Sequence, residues 1–292
     1  DMLFALLFLT LLFSLQSLFC KLYAGHTTQT DHAVVPVVFS VFYGVFTALA
    51  TFCFAGFRFS PSAQTLWMGI LNGAMLFLYN FSLIRASDQG SYAFTLISAL
   101  FGGVILPMFA SAVLWHERLT LLQWIGTAIT LISFWVINAD SISLKGAGRS
   151  FFFWCLCLFL ANGLYSVLMA AQQRALAGMQ RSEMIIVTFA VSALIAFVYL
   201  AVTKRRETGL AFRTGRKGGL FAVLSCIIAT AAANLYVYLL SHINLSVLSA
   251  VNNGGTLILS VFYAFLLFHE KPSSIRIAGM ALSLIGIILL SI

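Results

Sequence analysis

The chain has 292 residues, of which 61% are hydrophobic and only 8% charged, and its mean hydropathy is +1.02. An ordinary soluble domain carries about 25% charged residues, so this composition belongs to a protein of the lipid bilayer. The formal net charge of +8 lies in loops, and a basic balance of that kind does not imply nucleic-acid binding.

Apolar runs of about 20 residues, each long enough to cross a hydrocarbon core of about 30 Å as a helix, recur at 2–23, 34–57, 65–86, 91–115, 120–138, 151–173, 184–203, 218–240, 245–268 and 273–292. They predict an all-α integral membrane protein with ten transmembrane helices, multi-pass, in a bacterial inner membrane. The connections are short and leave no room for a separate extramembrane domain. Any function therefore sits inside the helix bundle.

The first run has no basic n-region and no small-residue cleavage site, so it reads as a retained span. It carries Gln16 near its middle and Lys21 near its end, where the ammonium is placed to snorkel to the headgroups. The third run has Asn72 and Tyr79 on one face with Asn80 about 80° round. The sixth has Asn162, Ser166 and Gln173 along one side, with Tyr165 beside them. The eighth spaces Thr230, Asn234, Tyr238 and Ser241 by four, four and three residues, again a single face.

The ninth run is the most polar inside. Ser246, Ser249, Asn253, Thr256 and Ser260 recur every three or four residues beside Asn252, and Gly254-Gly255 interrupts them. Neighbouring residues lie about 100° apart on a helix, so one packing contact does not satisfy both Asn252 and Asn253. The glycine pair would let another backbone approach or loosen the helix. Polar groups in hydrocarbon must find a partner or line a wet cavity. Helix-to-helix hydrogen bonding and cavity lining are thus the two readings for Gln16, Tyr79, Asn80, Asn162, Tyr165, Asn234, Tyr238, Asn252 and Asn253, which form the candidate substrate-binding set.

Cys20, Cys53, Cys155, Cys157 and Cys226 all fall within predicted helices and read as small apolar packers, not as a disulfide framework. His116-Glu117 and His269-Glu270 lack the second His of a HExxH zinc site, because positions 120 and 273 are Thr and Ser. Neither a GxSxG elbow nor a phosphate loop is present. The sequence therefore predicts neither an enzyme nor a cofactor.

The segment WHERLTLLQWIGTAITLISFWV (115–136) is echoed by FHEKPSSIRIAGMALSLIGIIL (268–289): His116 and Gly126 answer His269 and Gly279, 153 residues later in each case. Asn80 and Asn234 sit at matching places at an offset of 154. The chain thus divides into 1–140 and 141–292, two five-helix repeats, and an odd number of spans per repeat inverts one against the other. The polar positions of the ninth run align with Ala93, Leu96, Leu100, Gly103 and Pro107 of the fourth, so the stripe is private to the second repeat.

With its apolar first helix ending at Lys21, the segment LPMFASAVLWHERLTLLQWIGTAITL (106–131) and its echo at 259–284, the chain resembles the ten-helix, EamA-type branch of the drug/metabolite transporter superfamily. The pattern departs at Ser260, which stands opposite Pro107. The resemblance implies a carrier of small metabolites with a central cavity between the halves and alternating access, functioning as a monomer or homodimer in the lipid bilayer.

All eight acidic residues, Asp1, Asp31, Asp88, Glu117, Asp140, Glu183, Glu207 and Glu270, fall at or near predicted helix ends. A proton-coupled exporter of cationic drugs usually needs a carboxylate deep in the membrane, and it is the alternative reading, alongside a scaffold that moves nothing. Neutral, zwitterionic or weakly anionic solutes suit an amide- and hydroxyl-lined site better, moved by facilitated diffusion or exchange. The loops after the odd-numbered helices hold twelve of the sixteen basic residues, among them Lys21, Arg85, Lys145 and Arg149. That bias places both termini outside the cytoplasm, whereas the family resemblance places them inside; in either case they share a side.

Overall fold

The computed structural model describes residues 2–25, 34–142, 148–203, 216–268 and 273–291. Lys21 and Asn252 belong to described helices; Lys145, His269 and Glu270 lie outside the described residues. Among the described residues ten α-helices follow one another: α1 Met2–Gly25, α2 Val35–Phe54, α3 Ala63–Gln89, α4 Tyr92–Leu114, α5 Leu121–Asn138, α6 Arg149–Ala175, α7 Arg181–Thr203, α8 Arg216–Leu240, α9 Leu245–Phe268 and α10 Ser274–Ser291. Nine are long and apolar enough to cross a membrane, and Ser274–Leu290 is a shorter apolar helix.

The helix ends follow local chemistry. Pro36 occupies the first turn of α2, where its missing N–H costs nothing. The same helix stops at Phe54, short of the predicted 57, because Gly56 and Phe57 turn into the left-handed region at φ 66° and 59°. Ser91 caps α4 by accepting from the Phe94 N–H, and Thr120 with Gln123 forms a reciprocal capping box on α5. Between them His116 takes φ 51° and the Glu117 N–H donates back to the Ser111 carbonyl at 3.0 Å. The His116-Glu117 pair thus closes the end of α4.

The chain forms two compact units, each assembled from separate stretches of the sequence. One comprises Asp1–Ser14, Arg85–Val167 and His242–Ile292; the other comprises Leu15–Ile84 and Leu168–Ser241. The division cuts α1 after residue 14 and α6 after residue 167, positions that differ by 153, the spacing of the sequence repeat.

In the first unit, α5 and α10 pack backbone to backbone. A methyl group on Gly126 would lie 2.8 Å from the Gly286 carbonyl and 3.1 Å from Leu290, and one on Gly279 would lie 2.6 Å from Ile137. Gly279 and Leu290 are Gly126 and Ile137 displaced by 153 residues, so the two contacts are images of each other under the repeat. In the second unit, Val34, Val37, Val38 and Val41 of the α2 region bury against Ala196 and Leu200 of α7. The backbones of α2 and α7 also approach closely, since a methyl on Gly44 would sit 2.6 Å from the Phe189 carbonyl.

Candidate functional site

The candidate residues divide between the units: Asn162, Tyr165, Asn252 and Asn253 belong to the first, and Gln16, Tyr79, Asn80, Asn234 and Tyr238 to the second. In the first unit, two of the amides meet at one place on α4. Asn162 Nδ2 donates to the Ala99 carbonyl at 2.7 Å, and Asn253 Nδ2 donates to the Ser249 carbonyl at 2.8 Å and to the Gly103 carbonyl at 3.4 Å.

Pro107 explains why the Gly103 carbonyl is available. It lies inside α4, and proline has no N–H to return to the carbonyl four residues earlier. Asn253 supplies a donor in place of the missing one. A methyl on Gly103 would come within 2.6 Å of Asn162 Nδ2 and 3.1 Å of Asn253 Nδ2, so it would push both amides from their places.

Asn252 has the opposite fate. Its Oδ1 is buried and has no hydrogen-bond partner among the described residues, and the hydroxyls of Ser246, Ser249 and Thr256 on the same helix are buried without one there as well. Asn252, Gly255 and Thr256 occupy adjoining positions on α9, and Thr10 of α1 packs over Gly255, where a methyl would lie 2.5 Å from its Cγ2. Two turns on, the hydroxyls of Ser14 and Tyr263 meet at 3.3 Å. The seam between α1 and α9 is therefore bonded near Tyr263 and carries unpartnered oxygens near Asn252. Gly254 faces the other way, towards Ser283 and Thr130. The glycine pair serves close approach on two sides, and α9 runs unbroken through it from Leu245 to Phe268.

In the second unit the candidate amide of Asn234 is tied to its neighbours. Asn234 Nδ2 donates to the Thr51 hydroxyl at 3.2 Å and to the Thr230 carbonyl at 2.9 Å, and Asn72 Nδ2 reaches the Thr188 hydroxyl at 3.5 Å. The backbone carbonyl of Gln16, not its side-chain amide, accepts from the Ser225 hydroxyl at 3.2 Å. Tyr79 and Asn80 are half-buried on α3. Tyr238 is 42% exposed, and the Arg181 guanidinium stands over its ring at 5.2 Å while also donating to the Ser241 hydroxyl. That contact fits a residue anchored near a helix end.

A buried network at one end of the second unit was not foreseen. The Gln180 side-chain oxygen accepts from the Ser62 N–H at 2.9 Å and the Thr65 hydroxyl at 2.7 Å, Gln172 Nε2 donates to the Thr65 hydroxyl at 3.0 Å, and Gln173 donates to Gln172. The intervening turn holds Ala177 at φ 49° and Gln180 at φ 54°. The only signal in the sequence is the adjacent pair Gln172-Gln173 in a buried helix.

Among the described residues the acids stand at helix ends: Asp88 in the last turn of α3, Glu117 after α4, Asp140 after α5 and Glu183 in the first turn of α7. No three His, Cys, Asp or Glu side chains gather among them to hold a metal ion.

Residues 152–292 match the EamA-like transporter family. The chain carries an EamA-like transporter domain. A crystal structure of another protein superposes on 99% of this chain and covers 96% of that other chain, with a TM-score of 0.77 at 17% identity, so the two chains share one fold along nearly their whole length. No curated protein gives a significant match. The EamA-like domain spans nearly all of α6 and everything after it, and so contains Asn162, Tyr165, Asn234, Tyr238, Asn252 and Asn253, while Gln16, Tyr79 and Asn80 precede it. The protein is a multi-pass membrane transporter with a small molecule as its cargo.

Proposed function

We propose that this EamA-type transporter moves small polar or amphipathic metabolites, amino-acid-like or otherwise neutral or zwitterionic. It works without ATP, by alternating access, as a facilitator or exchanger. The observation that carries the reading is the unpartnered Asn252 Oδ1 with the Thr256 hydroxyl one turn away on a membrane-spanning helix. A buried polar group left without a partner costs about 1–3 kcal/mol, and a solute that hydrogen-bonds to it recovers that cost on binding. An amide oxygen and a hydroxyl suit an ammonium, amide or hydroxyl donor on the solute, and the helix-end positions of the described acids argue against a deep carboxylate that would select cations. The reciprocal contacts of Gly126 with Leu290 and of Gly279 with Ile137 support two halves related as inverted repeats, the plan on which alternating access is commonly built.

The test is thermal-shift screening of the purified protein against amino acids, nucleosides, nucleotide sugars and quaternary amines, followed by flux of any hit into proteoliposomes. A neutral or zwitterionic hit whose shift and flux vanish in Asn252→Leu, with the variant still folded, supports the assignment. Full flux through that variant refutes it, and hits confined to cations would favour a proton-coupled exporter.

A further inference from the structure

We propose that the groove between α4, α5 and α6 of the first unit is a binding site for one anionic phospholipid, its acyl chain lying among aromatic rings and its phosphate meeting Arg149. The groove has a volume of about 290 Å³ and is walled by Phe94 and Phe101 of α4, Trp135 of α5, and Phe152, Leu156 and Phe159 of α6. It starts within a turn or so of three helix ends and runs inward from Phe94 to Phe101 and from Phe152 to Phe159, about 10 Å at 1.5 Å per residue. It therefore lies along the direction of the lipid chains, beginning at the headgroup level.

The floor asks for an apolar occupant. Ser98 already donates to the Phe94 carbonyl at 2.9 Å, and Cys155 is buried against the core formed by Ala86 and Phe151. An empty groove would forfeit the dispersion contacts of its lining. Its outer rim is open, with Trp135, Phe152 and Leu156 between 45% and 55% exposed, so within the bilayer its occupant is a lipid chain. The rim aromatics hold one another edge-on, Phe94 against Trp135 at 6.5 Å and against Phe152 at 6.0 Å. Tryptophan at this level is the usual marker of the membrane–water interface.

The mouth selects charge. Arg149 opens α6 and is exposed; Phe152 and Leu156 follow it at i+3 and i+7 on the same face. Arg149 is thus on the groove's face of α6 one turn beyond Phe152, within a side chain's reach of a lipid phosphate at the groove's outer end. By the alternation of spans read from the sequence, the groove's mouth belongs to the side whose loops hold twelve of the sixteen basic residues, the side that attracts anionic lipid. A second copy of the chain suits this face less well, because a two-fold contact across it would bring Arg149 towards its own image.

The full-length protein, purified in mild detergent, is offered phosphatidylglycerol or phosphatidylcholine with identical acyl chains and examined by native mass spectrometry. The expected result is retention of one phosphatidylglycerol about fivefold more often than phosphatidylcholine, the factor for one Arg at an anionic surface. Arg149→Gln should lower phosphatidylglycerol to the phosphatidylcholine level, and Leu156→Trp, which fills the groove, should remove both. Equal retention of the two lipids by the unaltered protein, or retention indifferent to both substitutions, overturns the proposal. So does a dimer peak that disappears in Leu156→Trp, which would make the groove a contact between copies. A second measurement needs no groove-filling variant: phosphatidylglycerol brominated on its chains should quench a fluorescence component that Trp135→Phe removes. Quenching unchanged in that variant would also overturn the proposal.

Discussion

Consecutive helices α8 and α9 carry similar stripes of Ser, Thr and Asn, yet the structure treats them differently. On α8, Ser225 reaches the Gln16 carbonyl, Thr230 donates to the Cys226 carbonyl and touches the Thr47 hydroxyl, and Asn234 bonds Thr51. On α9, Ser246, Ser249, Thr256 and the Asn252 oxygen are buried without partners among the described residues, whereas Asn253 and Ser260 are bonded. The difference teaches that spacing identifies a polar face but not its use. On α8 the face joins helices, and on α9 most of its oxygens have no partner among the described residues.

The sharpest way to break this comparison is Asn252→Leu. At a solute concentration 100 times its Kd, bound solute stabilises the unaltered protein by about 2.7 kcal/mol, and the variant should lose all of that, while its stability without solute should hold or rise because an unpaired group has been removed. Melting curves with and without solute read both numbers; a retained ligand shift would put Asn252 on the same footing as Asn234. Next in size is Asn253→Leu, which should cost about 1–3 kcal/mol because the Gly103 carbonyl loses its substitute donor. In a Pro107→Ala background residue 107 regains its N–H, so the same substitution should cost measurably less. Equal costs in the two backgrounds would show that Asn253 does not compensate for the proline.

The spans were legible in the sequence because each needs only length and apolarity, and Gly126 and Gly279, which suggested the repeat, both stand at a close helix contact. That Asn252 and Asn253 cannot share one fate followed from the 100° step between them. Which of the two is tied was not legible, since it depends on a proline in another helix and on that proline's missing N–H. The repeat sharpens the point: the Gly103 and Pro107 positions of α4 correspond to Thr256 and Ser260 of α9, where the Ser260 hydroxyl donates to the Thr256 carbonyl at 2.7 Å. Tyr238 shared a face with Asn234 in the periodicity, but Arg181, remote in sequence, engages its ring at the helix end. The buried network of Thr65, Gln172 and Gln180 escaped notice for the same reason, as its members come from three separate segments.

A smaller effect tests the tied helix. Asn234→Leu removes one bond to Thr51 and should destabilise by about 0.6 kcal/mol, with roughly 1.7 as the ceiling for interhelical bonds in bilayers. Solute-induced stabilisation should persist, and its loss would move Asn234 into the solute site.

The finest test is one of sign. Thr230→Val deletes a hydroxyl that contacts Thr47 at 3.2 Å, and a cycle with Thr47→Val should return a coupling of about 0.6 kcal/mol, the mean for such bonds in a membrane bundle. Thr256→Val deletes a buried hydroxyl with no partner, so nothing is left behind unsatisfied, and the melting temperature should stay level or rise. Valine matches threonine closely in shape, so packing changes little in either case and the two results differ through the hydroxyl. If both variants were destabilised alike, the α9 hydroxyl would have a partner in the folded protein, and its face would be another seam between helices. A rise for Thr256→Val accompanied by slower flux would instead mean that the hydroxyl is retained for the solute at the expense of the fold.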